Sequence, residues 1–383
     1  MAMKLCRHAD SCKPHDQTQR QLVRTKFRWS IWRRGGRIGA LAAAVIICIS
    51  PAMAQTSVPS SAALLQLARG VFKPLPTNIA TAQHPITPQL VELGDDLYWD
   101  TRLSADGSVS CARCHQPSLY GSDGLPKSVG VDGKRNQRRA PTVLNAALEF
   151  RVLWLGQRKD VEGQAMRAFL GDTSFGNPSY AAVIARIDAI PGYRPLFRRA
   201  FPGQPNPVKP ENLGRAIGAY ERTLVTPAPF DRFLNGDIDA LTPEQRTGLW
   251  TFVETGCASC HNGVGVGGNS FRKFGVVEAY WKATGSKEID QGRYAVTHDP
   301  SDMYVFKVPM LRNVAMIPPY FHDGSVATLP QAVRVMARVQ LGKRLSATQV
   351  RAIVSFLDSL TGPLPADFVA SPVLPVGPYS VEH

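Results

Sequence analysis

The sequence predicts a mainly α-helical protein made of two similar domains. Apolar residues recur at helical spacing behind typical helix starts, and one five-residue motif occurs twice. The 329 residues that follow residue 54 are enough for two domains of ordinary size. Each copy of the motif follows a predicted amphipathic helix, so we expect one unit of helix, turn and motif in each domain.

The predicted helices begin at recognisable capping sequences. Thr242 and Gln245 form a capping box, and Pro88 follows Thr87 at the position that a helix start prefers. Apolar residues then repeat every three or four positions. The predicted helices begin at or near Thr87, Asn212, Thr242, Thr328 and Ser346.

Proline-rich segments divide the chain. The helix that begins at Asn212 ends near Leu224, and Pro227-Ala228-Pro229 follows it. We therefore place a domain boundary at Val225. The predicted parts are an export segment, an N-terminal domain, a C-terminal domain and a tail without clear periodicity, at 1–54, 55–225, 226–365 and 366–383.

The repeated motif is C-x-x-C-H, at 111–115 and again at 257–261. In this motif two thiols form thioether bonds to a porphyrin and the histidine binds its iron, although a single copy also fits a zinc or thiol-redox site. No other cysteine follows residue 54, which argues against a disulfide framework, and a four-thiolate zinc site would leave both histidines without a role. The sequence therefore predicts two covalently bound haem c groups. Their predicted attachment residues and proximal ligands are Cys111, Cys114, His115, Cys257, Cys260 and His261.

The N-terminal residues have the features of an export signal. A basic stretch reaches Arg37, twelve apolar residues follow at 38–49, and Ala52-Met53-Ala54 matches a cleavage site. Twelve apolar residues are too few for a stable membrane-spanning helix, although an uncleaved anchor is the alternative. We expect cleavage near Ala54 and a periplasmic protein.

The formal charge of +14 gives a misleading picture of the exported chain. Without residues 1–54, 34 basic and 28 acidic residues leave a net charge of +6. No dense basic run interleaved with aromatic residues follows the export segment, so the sequence does not predict nucleic-acid binding. The remaining positive charge fits the docking of a small redox protein or an ordinary solvated surface.

Residues 305–324, continuing to Met336, resemble the bacterial dihaem cytochrome c peroxidase family, which includes the methylamine-utilisation haem oxidase. The resemblance covers nearly all of the chain after the export segment. It implies a C-terminal haem that donates electrons and an N-terminal haem at which peroxide binds. Further matches lie at 121–123, 141–145, 191–193 and 223–227.

The resemblance implies roles for individual residues. His261 and Met336 would hold the electron-donating iron, since a thioether ligand favours the ferrous state. His115 would hold the reactive iron. Trp154 matches the tryptophan that relays electrons between the haems, and a large core aromatic is the alternative role.

Two positions depart from the family pattern. Many relatives have a histidine where this chain has Val131, so we expect the first iron to be five-coordinate or water-bound unless His84, His298 or another side chain reaches it. Ser174 stands where the peroxidases use a distal glutamate to move a proton between the peroxide oxygens. Asp172 and Glu162 lie close to Ser174 in sequence. Either residue could transfer the proton, directly or through water, and the alternative is that it is an acid without a catalytic role.

The interdomain calcium site of the family is also doubtful here. Pro319 can still offer a carbonyl, but Arg139 and Ile317 replace oxygen-bearing side chains, and Arg139 would repel a cation. We expect no tight calcium site. His322 and Asp323 match a Phe-His-Asp-Gly element, for which we expect a structural hydrogen-bonded pair.

The sequence as a whole favours a periplasmic peroxidase that reduces hydrogen peroxide to water with electrons from a small cytochrome c or a cupredoxin. Relatives are commonly homodimers, which makes a homodimer one option, but the sequence itself leaves the oligomeric state open. One alternative is a haem oxidase that acts on a protein or an organic substrate, although Met336 argues against it because the methylamine-utilisation relative has a tyrosine ligand there. The other is an electron carrier or redox sensor without turnover, which the loss of the distal glutamate favours.

Overall fold

The computed structural model describes residues 58–377 of the 383-residue chain. The predicted export segment, 1–54, and the last six residues, 378–383, lie outside the described residues. None of the helices in the described range is long and apolar enough to cross a membrane.

Helices dominate the described part of the chain, as predicted. The α-helices are α1 Ser61–Val71, α2 Pro88–Trp99, α3 Cys111–Cys114, α4 Val161–Ala168, α5 Tyr180–Asp188, α6 Tyr193–Ala200, α7 Pro210–Glu221, α8 Pro229–Asn235, α9 Pro243–Glu254, α10 Tyr280–Thr284, α11 Tyr294–Thr297, α12 Leu329–Leu341, α13 Ala347–Asp358 and α14 Ala366–Val369. Short 3-10 turns lie at Thr101–Leu103, Pro117–Leu119, Val131–Gly133, Ala146–Leu148, Cys257–Ser259, Pro300–Asp302 and Val314–Met316. Two three-residue strands, β1 Phe271–Lys273 and β2 Val305–Lys307, pair antiparallel with Phe271 opposite Lys307.

The predicted helix starts are confirmed. The hydroxyl of Thr242 accepts a hydrogen bond from the Gln245 main-chain amide, and the Gln245 side-chain oxygen accepts one from the Thr242 main-chain amide, which completes the capping box of α9. The same reciprocal pair joins Ser346 and Gln349 at α13. These caps satisfy amide groups that a helix start otherwise leaves without partners.

The buried apolar side chains form two large clusters. The first is built mainly from residues 90–224, and the second mainly from residues 230–360. Val225, the predicted boundary, lies in sequence between the two clusters. However, residues near each end of the described range belong to the cluster formed mainly by the other half of the chain. Leu64 of helix α1 and Phe72, which directly follows this helix, are buried in the second cluster, and Phe368 of α14 is buried in the first. The segment 366–377 therefore contains a short helix rather than only coil.

Each cluster is organised around one close helix crossing that involves the helix before a C-x-x-C-H motif. Helix α2 crosses α7 at Gly94, where an added Cβ would lie 2.0 Å from the Ala216 carbonyl oxygen. Helix α9 crosses α13 at Gly248, where a Cβ would lie 1.9 Å from the Ala352 carbonyl oxygen. Only glycine permits such an approach, so the repeat of helix, turn and motif extends to the packing of both clusters.

Candidate functional site

The second C-x-x-C-H motif opens into a large cavity. Cys257 follows α9 after Gly256, whose φ of +98° allows the sharp turn, and the His261 amide donates to the Cys257 carbonyl at 3.0 Å. Cys257, Cys260 and His261 line about 1350 Å³ of empty space, part of it open to solvent. The walls of this space are mainly apolar, and a concave, mainly apolar site of this kind is typical of cofactor-binding sites.

His261 has the chemistry of a neutral metal ligand. Burial lowers the pKa of its imidazole to about 4, and main-chain groups of Val266 and Pro309 offset only part of that effect. Its Nδ1 is buried and makes no hydrogen bond. A buried, neutral imidazole in the wall of a mainly apolar cavity fits an iron ligand.

Two methionines line the same cavity. Met336, the ligand predicted from the sequence, lies on α12, and Met310 lies in the segment after β2. Met310 is 8% exposed, and Met336 is half-buried. Sequence reasoning did not single out Met310, although its place after Val308-Pro309 in the family-like stretch was available as a signal.

At the first motif the histidine is held more firmly. His115 Nδ1 lies 3.0 Å from the Gly121 carbonyl oxygen, and the Tyr98 hydroxyl donates to the His115 carbonyl at 2.9 Å. Burial lowers the pKa of His115. With Nδ1–H donating to a carbonyl, Nε2 is left as the nitrogen that can bind iron.

The two departures from the family pattern lie side by side. The Val131 amide donates to the Ser174 carbonyl at 2.9 Å, and an added Cβ on Gly176 would lie 2.5 Å from Val131 Cγ1. Val131 is 1% exposed. The Ser174 hydroxyl donates to the carbonyls of Ala168 at 2.7 Å and Gly171 at 3.1 Å. This hydroxyl therefore supports the local backbone.

The acids considered from the sequence differ sharply in setting. Glu162 is buried and accepts two hydrogen bonds from Arg222, at 2.6 and 3.0 Å, and one oxygen lies 3.1 Å from His84 Nδ1. Asp172 is exposed. His84 is thus engaged with Glu162, and His298 is exposed at the end of α11.

Sequence reasoning missed a group of buried acids near the first motif. Burial raises the pKa of Glu221 to about 8, with the Glu162 charge adding to the effect and Arg222 opposing it. Burial also raises the pKa of Asp95 to about 6 and that of Asp96 to about 7. These acids lie on α2 and α7, whose apolar helical pattern gave no sign of their burial.

Trp154 lies in the wall of the second cavity, and its contacts come from segments distant in sequence. Its indole Nε1 donates to the Arg139 carbonyl at 3.0 Å, and the Lys307 amide donates to the Trp154 carbonyl at 2.9 Å. The ring centroid of Trp154 is 6.4 Å from that of His322. The indole is therefore fixed in orientation against the cavity.

His322 and Asp323 do not bond to each other. His322 is 3% exposed, its ring centroid is 4.5 Å from that of Phe306, and its Nε2 lies 3.6 Å from Asp290. Asp323 instead accepts hydrogen bonds from Ser286 and Ser325. The predicted pair is therefore replaced by two separate sets of contacts.

A model of the di-haem cytochrome c peroxidase family matches residues 88–239. The chain is 41% identical over 322 residues to the cytochrome c551 peroxidase of Pseudomonas aeruginosa, which covers 84% of this chain and 92% of that protein. It is 39% identical over 294 residues to the cytochrome c551 peroxidase of Nitrosomonas europaea, covering 76% and 85%. It is also 39% identical over 248 residues to the methylamine utilization protein MauG of Methylorubrum extorquens, covering 64% and 68%.

Solved structures agree with these sequence relationships. A MauG-like protein associated with microbial copper homeostasis superposes with a TM-score of 0.66 at 25% identity, over 78% of this chain and 96% of that one. The diheme peroxidase BthA of Burkholderia thailandensis shares the fold, with a TM-score of 0.58 at 20% identity over 80% and 93% of the two chains. With two C-x-x-C-H motifs and the fold in agreement, the chain belongs to the di-haem cytochrome c peroxidase family.

Proposed function

We propose that the protein is a periplasmic peroxidase that reduces hydrogen peroxide to water with electrons from a small cytochrome c or a cupredoxin. One observation carries the proposal: a single large cavity brings together Cys257, Cys260, His261, Met336 and Trp154. This set combines covalent attachment, two candidate iron ligands and an aromatic side chain able to pass electrons onward. The family relatives named cytochrome c551 peroxidase support the same activity.

The two haem c groups, once attached, supply the one-electron steps and the cleavage of the O–O bond. Cys111, Cys114 and His115 would hold the peroxide-reactive group, and the second motif would hold the electron-donating one. The balance is one peroxide, two electrons and two protons for two waters. Side chains other than those that would hold the haems must therefore conduct electrons and deliver protons.

Electron delivery is assigned to Trp154. The hydrogen bond to Arg139 and the ring contact with His322 hold the indole in one orientation at the cavity wall. A fixed aromatic ring gives a constant electronic coupling between two centres, because no rotation has to precede each transfer.

Proton delivery is the step in which this chain differs from its relatives. The Ser174 hydroxyl donates to two carbonyls and offers no carboxylate to the peroxide. Glu162 is held by Arg222 as a buried ion pair. We therefore assign proton delivery to Asp172, which is exposed and near Ser174 in sequence, acting through water.

Ser174 also favours a second candidate function, an electron carrier or sensor without turnover. A carrier keeps both irons six-coordinate, whereas Val131 supplies no ligand at the position where many relatives have a histidine. Electron paramagnetic resonance of the resting holoprotein separates the two functions. One high-spin and one low-spin haem support the peroxidase, and two low-spin haems support the carrier.

The test is peroxide-dependent oxidation of reduced cytochrome c by the holoprotein. We expect steady turnover, and we expect Trp154→Phe to slow it about tenfold or more with both haems still attached. The matched control is Trp281→Phe, since Trp281 packs against Tyr304 in the same small apolar cluster. It should retain wild-type turnover. Oxidation no faster than that with free haem would refute the proposed function.

A further inference from the structure

The second cavity contains four cationic side chains in its wall, and they differ in how their charges are compensated. Arg272 and Lys273 of β1 are exposed to solvent. Lys307 is buried and forms an ion pair with Glu149. Arg139 is 4% exposed, and within residues 58–377 no carboxylate lies at ion-pair distance from it. Among the described residues of this wall, Arg139 is therefore the buried cation without a carboxylate at ion-pair distance, whereas solvent screens the exposed Arg272 and Lys273.

The polypeptide fixes Arg139 on several sides without neutralising it. Nη2 donates to the Ile317 carbonyl at 2.9 Å, and the main-chain amide donates to the His322 carbonyl at 3.0 Å. The main-chain carbonyl accepts from Trp154 Nε1 at 3.0 Å. Nε of the guanidinium is buried and has no hydrogen-bond partner.

The buried charge of Arg139 and its Nε donor without an acceptor are unfavourable unless another group contacts the guanidinium. A buried guanidinium keeps its proton, and here burial lowers its pKa only to about 10, with Asp123 and Tyr320 opposing the effect from a distance. A buried charge without a partner is costly, and so is a buried donor without an acceptor. A group that enters the cavity with a negative charge and acceptor oxygens would remove both costs.

We propose that the Arg139 guanidinium binds a carboxylate of the haem attached at Cys257 and Cys260. This inference rests on the proposed haem attachment at the second motif. Haem carries two propionate groups at the edge remote from the vinyl groups that the cysteines bond. A guanidinium presents parallel N–H donors that match the two oxygens of a carboxylate.

The contact has a consequence for electron transfer. A positive charge held beside an iron centre in a water-poor site stabilises the reduced state over the oxidised one. Because the Arg139 carbonyl also holds the indole of Trp154, one residue positions both the haem carboxylate and the proposed electron relay. Arg139 is thus a positioning residue that sets the reduction potential of the second haem.

The test is a spectroelectrochemical titration of each haem in the holoprotein, without peroxide or donor protein. Arg139→Gln should lower the reduction equilibrium constant of the second haem about tenfold, which is about 59 mV for one electron. Arg139→Lys keeps the charge and should lie within about threefold of wild type. The control is Arg272→Gln, which removes an exposed charge from the same wall and should change the constant less than twofold, because solvent and salt screen exposed charges. An unchanged potential in Arg139→Gln with both haems attached overturns the inference.

A second readout applies to the better-tolerated lysine variant if the glutamine variant does not fold. Resonance Raman bending modes of the haem propionates report their hydrogen bonding. We expect the frequencies of these modes to differ between wild type and Arg139→Lys. The frequencies should be the same in wild type and Arg272→Gln. No shift in Arg139→Lys contradicts the contact. Both experiments are independent of turnover, so an inactive holoprotein would refute the proposed peroxidase while leaving this inference testable.

Discussion

The two C-x-x-C-H regions share their backbone design and differ in what surrounds it. Both motifs follow a helix that crosses its partner at a glycine, Gly94 in one case and Gly248 in the other. The second region then opens into a cavity with two methionines. In the first region the histidine is hydrogen-bonded to the Gly121 carbonyl. There, the Val131 amide also donates to the Ser174 carbonyl. The two motifs are alike, and residues distant in sequence make their surroundings differ.

The two regions also differ in their buried acidic side chains. In the second region Arg312 is fully buried but forms two hydrogen bonds to Asp231, at 2.8 and 2.9 Å. In the first region Asp96 and Glu221 are buried and Asp95 is half-buried, and burial raises the pKa of all three. The first region also contains a buried ion pair, Glu162 with Arg222, so the difference between the regions lies in these additional acids whose pKa values burial raises.

The largest expected effect concerns the two methionines of the second cavity. Met336→Leu should convert the second haem from low spin to a state without the methionine-to-iron charge-transfer band, because leucine has no sulfur to coordinate. Met310→Leu is the matched control, since Met310 lines the same cavity and leucine has a similar volume. Optical and magnetic circular dichroism spectra check both. Loss of the band in Met310→Leu, with retention in Met336→Leu, would reverse the ligand assignment.

A gain of function tests the first region. Ser174→Glu should raise peroxide turnover about 100-fold, since a positioned acid contributes about 10²–10⁴-fold to a reaction that moves a proton. Ser174→Ala is the control and should change turnover less than threefold, because the hydroxyl bonds to main-chain carbonyls. Steady-state kinetics with reduced cytochrome c check both. Equal rates for the glutamate and alanine variants would show that position 174 does not face the peroxide.

A smaller effect is expected in the pH dependence of stability. Glu221 binds its proton more tightly in the folded chain, with a pKa near 8 against 4.5 in the unfolded chain. Its stabilising contribution is therefore present below about pH 4.5 and is lost as the pH rises toward 8. Glu221→Gln should be more stable than wild type by about 4 kcal/mol at pH 8 and by about 1 kcal/mol at pH 5.

Urea unfolding of the holoprotein at both pH values checks this expectation. Glu211→Gln is the control, since Glu211 lies exposed in the first turn of the same helix, and its curves should follow those of wild type. Curves for Glu221→Gln that run parallel to wild type at both pH values would mean that Glu221 is ionised in the folded chain.

Several features could be predicted because they depend on neighbours in sequence. The capping box at Thr242 acts over three residues, and the helix at 329–341 follows from apolar spacing alone. The attachment motif likewise lies within five residues. Met336 was chosen by resemblance, and the structure places it in the same cavity as His261.

The sequence alone therefore determined the helical class, the two attachment motifs and the family, because these depend on short-range periodicity and on local chemistry. Only the tertiary structure decided which charges meet. It placed Arg139 against Ile317, 178 residues away, and Glu162 against Arg222, 60 residues away. It also returned Phe368 to the first cluster. Such contacts arise from the burial of whole helix faces, and no local pattern specifies the partner that a buried charge will find.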